Sequence, residues 1–62
     1  MNTAEKHWVL ISKAAIETGY TEAAIRTKIK RAVWKRGEHW RKAPDNRVFV
    51  NLARVQRWVE GN

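Results

Sequence analysis

Nine of the Lys and Arg residues fall between residues 25 and 47, and only Glu38 and Asp45 oppose them. That segment carries +7, the net charge of the whole chain, while the remaining residues balance at four bases against four acids. Trp34 and Trp40 are threaded through the block. Side chains of these types suit one chemistry above others. Lys and Arg neutralise phosphates, Arg pairs bidentately with a guanine edge, and a Thr methyl can meet the thymine methyl. A pI near 10.6 with charge this localised points to a polyanionic partner, nucleic acid ahead of a membrane surface.

Such side chains must be held by rigid elements. Ser12 before KAAIET and Gly19 after it bracket a short helix over residues 13–18, the Ser as N-cap and the Gly as C-cap. Val9, Leu10 and Ile11 lead into it as an extended apolar segment. Thr21 is an N-cap for a second helix over residues 22–32, and Glu22 suits the positive end of its dipole. At 100° per residue Ile25, Ile29 and Ala32 share one face, which leaves Ala23, Thr27 and Lys30 opposite, flanked by Arg26 and Arg31. Two helices joined only by Gly19, Tyr20 and Thr21 form a helix-turn-helix pattern.

After Gly37 the period changes. HWRKA and RVFV are β-prone runs joined by Pro44, Asp45 and Asn46, residues suited to a hairpin tip. A hairpin over residues 39–43 and 47–50 follows, with Val48 and Val50 on one side, Phe49 on the other, and the inward side left open. Asn51 then caps a final helix that ends at Gly61. Its face of Leu52, Val55 and Val59, with Trp58 beside it, is expected to close the core against the first two helices. All four Trp are expected to pack rather than bind, Trp8 and Trp58 most clearly, because a chain this short needs large rings to make a core. No apolar stripe is then left over, which favours a monomer. The expected fold is α+β: a small winged helix-turn-helix of helix, tight turn, basic helix, basic hairpin wing and C-terminal helix. It occupies residues 1–62 as a single domain, with residues 1–6 loose.

This layout nominates the binding residues. On the recognition helix they are Thr21, Glu22, Ala23, Arg26, Thr27, Lys30 and Arg31. A small Ala23 lets the helix sit close in a groove, and the bases reach edges and phosphates. On the wing they are Arg41, Lys42, Asn46 and Arg47, suited to a phosphate backbone or a narrow minor groove.

Enzymatic readings fail on composition. Ser12 and Tyr20 are the sole Ser and Tyr, there is no Cys, and the carboxylates are scattered. No nucleophile–base pair, acid–base pair or magnesium cluster is plausible. Two His are too few for a metal site, and His39 reads as a packing or backbone-contact residue. No cofactor, metal or small-molecule ligand is expected. With no long apolar run and no signal-peptide pattern, the expectation is a cytoplasmic protein with no membrane partner.

The string GYTEAAIRTKIKRAVWKRGEHWRKAPDNRVFVNLARVQRWVEG, residues 19–61, resembles the small excisionases encoded by lambdoid prophages. More distantly it is similar to other phage excisionases and to the MerR-type DNA-binding module. The resemblance implies a non-catalytic winged-helix recombination directionality factor. Such a protein binds and bends double-stranded DNA of the prophage attachment region and helps the phage integrase excise the prophage. Further copies on adjacent sites are a partner of the same kind. The sequence departs from the family pattern at Ala32 and Asn46, where Gly is usual. Asn46 still accepts a positive φ; Ala32 calls for a right-handed or extended conformation. Three other readings stand beside this one: a small phage transcriptional regulator of the same fold, a protein-interaction module that inhibits a host or phage enzyme, and an RNA-binding protein.

Overall fold

The structure, a computed structural model, describes residues 7–61. The expected looseness of residues 1–6 lies outside them. The element order is β1 (Trp8–Leu10), α1 (Ile11–Thr18), α2 (Glu22–Lys30), β2 (Trp40–Lys42), β3 (Val48–Asn51) and α3 (Leu52–Val59). Three helices and a three-stranded antiparallel sheet of order β1-β3-β2 make a small α+β winged-helix-like fold.

The extended segment before α1 is thus a true strand. β1 pairs with β3 in the register Trp8–Asn51, Val9–Val50 and Leu10–Phe49. That pairing holds the chain extended through Leu10, and the helix begins immediately after it. Leu10 is the N-cap residue, with no side-chain cap bond. Ser12, expected to cap, instead lies exposed inside the first turn. Starting α1 at Ile11 places Ile11 and Ala14 in the core, at 5% and 0% exposure, with Ala15 packed against them. This is the i, i+3, i+4 stripe of a helix lying on a core. Gly19 stops the helix in the left-handed region, φ 85°, and donates its N–H to Ala15 O at 2.8 Å. Only a residue without Cβ takes that conformation at little cost.

Thr21 caps α2 as expected, its Oγ1 accepting from Ala24 N–H at 3.0 Å. The helix ends two residues earlier than expected, at Lys30. Arg31 is the C-cap and Ala32 adopts φ 62°. The right-handed or extended conformation expected at Ala32 is therefore not what forms. The reason is a Schellman closure: Val33 N–H donates to Lys28 O at 2.9 Å and Ala32 N–H to Ile29 O at 3.1 Å. That pattern requires a left-handed residue between helix and exit. It turns the chain so that Trp34 enters the core.

Trp34 is fully buried and sits at the centre of the fold. Tyr20 and Trp58 meet it edge-on at 6.3 and 5.7 Å, and His39 stacks on it at 6.3 Å. Removing about 150–250 Å² of ring surface from water, at about 25 cal/mol per Å², contributes about 4–6 kcal/mol as an upper bound. Its Nε1 is buried without a hydrogen-bond partner. His39, at 7% exposure, accepts Lys35 N–H at Nδ1 over 2.9 Å. It is the packing and backbone-contact residue expected of it.

β2 pairs with β3 as Trp40–Val50, Arg41–Phe49 and Lys42–Val48. Val50 is fully buried and Val48 packs on the core, so the Val48–Val50 side faces inward. The hairpin closes through Ala43 N–H to Arg47 O and Asn46 N–H to Ala43 O, both 2.8 Å, with Asn46 at φ 72°. This is a turn with one left-handed residue, the role Asn tolerates. Asn51 caps α3, accepting from Arg54 N–H at 3.1 Å. Two packing expectations are corrected here. Val59 is 60% exposed, because an open groove of about 230 Å³ separates it from the end of α1. Trp8 lies on the outer face of the sheet, since its neighbour Val9 takes the core side opposite Val50.

Candidate nucleic-acid interface

Every residue nominated on α2 is exposed: Thr21, Glu22, Ala23, Arg26, Thr27, Lys30 and, just past the helix, Arg31. Burial of Ile25 and partial burial of Ile29 fix this orientation, since they turn the opposite face to solvent. The hydroxyls of the two Thr are already engaged. Thr21 caps the helix, and Thr27 Oγ1 donates to Ala23 O at 3.0 Å. Beside its methyl group, Thr21 keeps its O–H donor and Thr27 its acceptor lone pairs. Tyr20 is half-buried and carries Lys28 Nζ over its ring at 4.1 Å, so Lys28 is directed away from the exposed row.

The wing residues Arg41, Lys42, Asn46 and Arg47 are exposed too, but they do not act together. Asn46 and Arg47 sit at the tip. Asp45 organises it by accepting Arg47 N–H at 3.0 Å through Oδ1, and its other oxygen lies 3.8 Å from Arg47 Nε. Lys42, opposite Val48, sits where β2 runs into the turn. Arg41 faces the other way, on the outer side of the sheet, with its guanidinium 5.1 Å from the Trp8 ring centroid.

A cleft of about 310 Å³ joins helix and tip. Glu22 and Arg26 line it from α2, Asn46, Arg47 and Val48 from the hairpin, and Leu10, Ile11 and Ser12 from the start of α1. The register of β3 between β1 and β2 makes this possible, because it holds the hairpin beside the strand that feeds α1. Ser12, read from sequence only as a cap, lines the cleft. No local pattern marks it, since its place there depends on the sheet.

Both arginines of the cleft carry a carboxylate neighbour: Arg26 has Glu22 at 3.7 Å and Arg47 has Asp45 at 3.8 Å. These pairs are solvent-exposed and add little to stability. Both guanidinium groups stay largely in solvent. Among the described residues no group of His, Asp or Glu could hold a metal, and no helix is long and apolar enough to cross a membrane.

No curated protein and no solved structure matches the chain. The model of the family described as "Putative excisionase (DUF1233)" matches residues 1–62. That match spans the α2 helix, the hairpin tip and the cleft between them, and the chain belongs to this excisionase family.

Proposed function

We propose that the chain is a single-domain DNA-binding excisionase that acts without catalysis. α2 enters the major groove with Glu22, Ala23, Arg26 and Thr27 toward base edges. Lys30 and Arg31 meet phosphates, and Thr21 holds the N-terminus of the helix against the backbone. Arg26 suits a guanine edge and Glu22 the amino group of cytosine. Lys42, Asn46 and Arg47 of the wing follow the adjoining backbone or minor groove. By bending attachment-region duplex, alone or as several copies on adjacent sites, it assists the integrase in prophage excision in the bacterial cytoplasm.

The observation that carries this reading is the shared cleft: the recognition helix and the wing tip present Arg26 and Arg47 from one side of the molecule. A basic helix without that partner would be an ordinary solvated face. A module of this size covers about 600–1,000 Å² of its own surface on DNA, so single-site binding is modest and multiple copies strengthen it.

The test is fluorescence anisotropy with two labelled duplexes across a salt series, one of random sequence and one from the attachment region. Tight binding to the second, weak binding to the first and a slope of log K on log salt of roughly −5 to −7 are expected. Equal, weak binding to both overturns sequence-specific recognition and moves the protein-interaction reading forward. Retention of partner binding after charge reversal of Arg26 and Lys30 would then identify a protein partner.

A further inference from the structure

The sheet has two faces, and the proposed duplex surface uses neither in full. Val9, Val50 and Trp40 face the core. The alternating residues Trp8, Leu10, Phe49 and Arg41 face outward, because side chains of a strand alternate between faces. Leu10, Phe49 and Arg41 are direct cross-strand neighbours, one from each strand, so they form a row across the whole sheet. Trp8, Leu10 and Phe49 are half-buried, and none of them packs against the core cluster. Among the described residues, Arg41 is the cation that lies over this surface, its guanidinium 5.1 Å from the Trp8 ring centroid.

The chemistry of this face is specific. It offers an indole ring, a phenyl ring, an aliphatic floor and a guanidinium group over the indole. Aromatic rings accept the π-face of any base, and an Arg plane extends such a stack or takes the neighbouring phosphate. A duplex hides the faces of its bases and shows only their edges, so it has little to place here. A second copy of the chain is a poor occupant, because each copy carries +7 and a cation lies across the patch. An unpaired strand satisfies both the rings and the charge.

We propose that the outer face of the sheet is a second nucleic-acid site, a stacking platform for unpaired bases formed by Trp8, Phe49 and Arg41 over Leu10. Trp8, Phe49 and Arg41 lie outside the cleft between α2 and the wing tip, and Leu10 borders both surfaces. A strand opened beside a bound duplex could be held there without releasing the recognition helix.

Anisotropy with a labelled oligothymidylate of about twelve nucleotides, and separately with the attachment-region duplex, tests this on the full chain. The variants are Trp8→Ala, Trp8→Leu, Phe49→Leu and Arg26→Ala, each checked for folding by circular dichroism. Trp8→Leu keeps an apolar side chain without a ring face, and so stands in where Trp8→Ala fails to fold. The expected result is that Trp8→Leu and Phe49→Leu each weaken single-strand binding about tenfold and leave duplex binding unchanged. Arg26→Ala should do the opposite. Three results overturn the platform. One is single-strand binding unaffected in folded Trp8→Leu. Another is loss of both ligands together in Arg26→Ala. The third is self-association, seen in sedimentation, that Trp8→Leu abolishes, which assigns the face to a second copy. Absence of attachment-region duplex binding in the unsubstituted chain, with single-strand binding present, would overturn the excisionase mechanism and leave the platform standing.

Discussion

The indole Nε1 of Trp40 donates to the backbone carbonyl of Trp34 across 3.1 Å. One residue begins the wing and the other is the fully buried centre of the core. The bond ties the base of the hairpin to the segment that leaves α2, so helix and hairpin share one anchor. Arg36 lies over the same Trp40 ring at 5.5 Å and screens it from water. Trp40→Phe keeps a ring but removes the donor. A stability loss of about 1 kcal/mol in urea unfolding is expected, with faster amide exchange along β2. The wing-dependent part of duplex affinity should fall with it. Unchanged exchange in β2 would show that the bond does not hold the wing.

Ala32 sits at φ 62° in the closure of α2. The left-handed region costs a residue with a Cβ roughly 1–2 kcal/mol. Glycine removes that cost but gives back part of it through the freer unfolded chain, roughly 0.5–1 kcal/mol. Ala32→Gly should therefore stabilise the protein by about 0.5–1 kcal/mol, a rise in Tm of a few degrees for a domain this small. Asn46→Gly, at φ 72°, should gain less, because Asn tolerates the conformation and Asp45 already organises the turn. A thermal melt of both variants checks the order. A lower Tm for Ala32→Gly would mean that the Ala32 methyl makes a contact worth more than the strain.

Much of this was legible along the chain because the signals were local. Thr21 as cap, the Ile25–Ile29 stripe, the turn at Pro44–Asn46 and Asn51 as cap each depend on residues within one turn of one another. What was not legible depends on distant pairing. β1 is a strand only because β3 lies beside it, and that pairing overrides the cap signal at Ser12. Trp8, Val9 and Leu10 are all apolar, so their sequence carries no alternation to say which faces the core. Ala32 lacks the Gly that would announce a left-handed exit. Exposure of the α2 and wing residues could be read from pattern. The meeting of Arg26 with Arg47, and the separation of Arg41 from both, follow from sheet register and could not.

His39 is buried against Trp34, and its Nδ1 accepts the Lys35 N–H at 2.9 Å. The ring proton therefore sits on Nε2, which faces Glu38 Oε2 at 4.0 Å. Arg54 of α3 approaches the same carboxylate oxygen at 4.0 Å. His39→Ala leaves the Lys35 N–H unpaired, for about 1–3 kcal/mol, and opens a void beside the central ring. A loss of about 2–4 kcal/mol is expected in urea unfolding, a large part of the stability of so small a domain. His39→Asn, which can still present an acceptor to Lys35, should recover part of it. Equal loss in both variants would show that ring packing, and not the hydrogen bond, decides the site.

Asp45 holds the wing tip in two ways that can be separated. Its Oδ1 accepts the Arg47 N–H, which shapes the turn, and its charge faces the Arg47 guanidinium at 3.8 Å. Asp45→Asn keeps the acceptor and removes the charge. Because the pair is exposed, stability should change by less than about 1 kcal/mol. Arg47 is then free of its carboxylate, and binding to duplexes of every sequence should strengthen alike, since a phosphate contact carries no base information. Arg47→Ala should do the reverse, reducing the salt slope by about 1 and weakening all duplexes uniformly. Anisotropy on the random and attachment-region duplexes, at several salt concentrations, reads both effects. If Arg47→Ala weakens only the attachment-region duplex, the wing tip reads bases, and the phosphate role assigned to Arg47 is wrong.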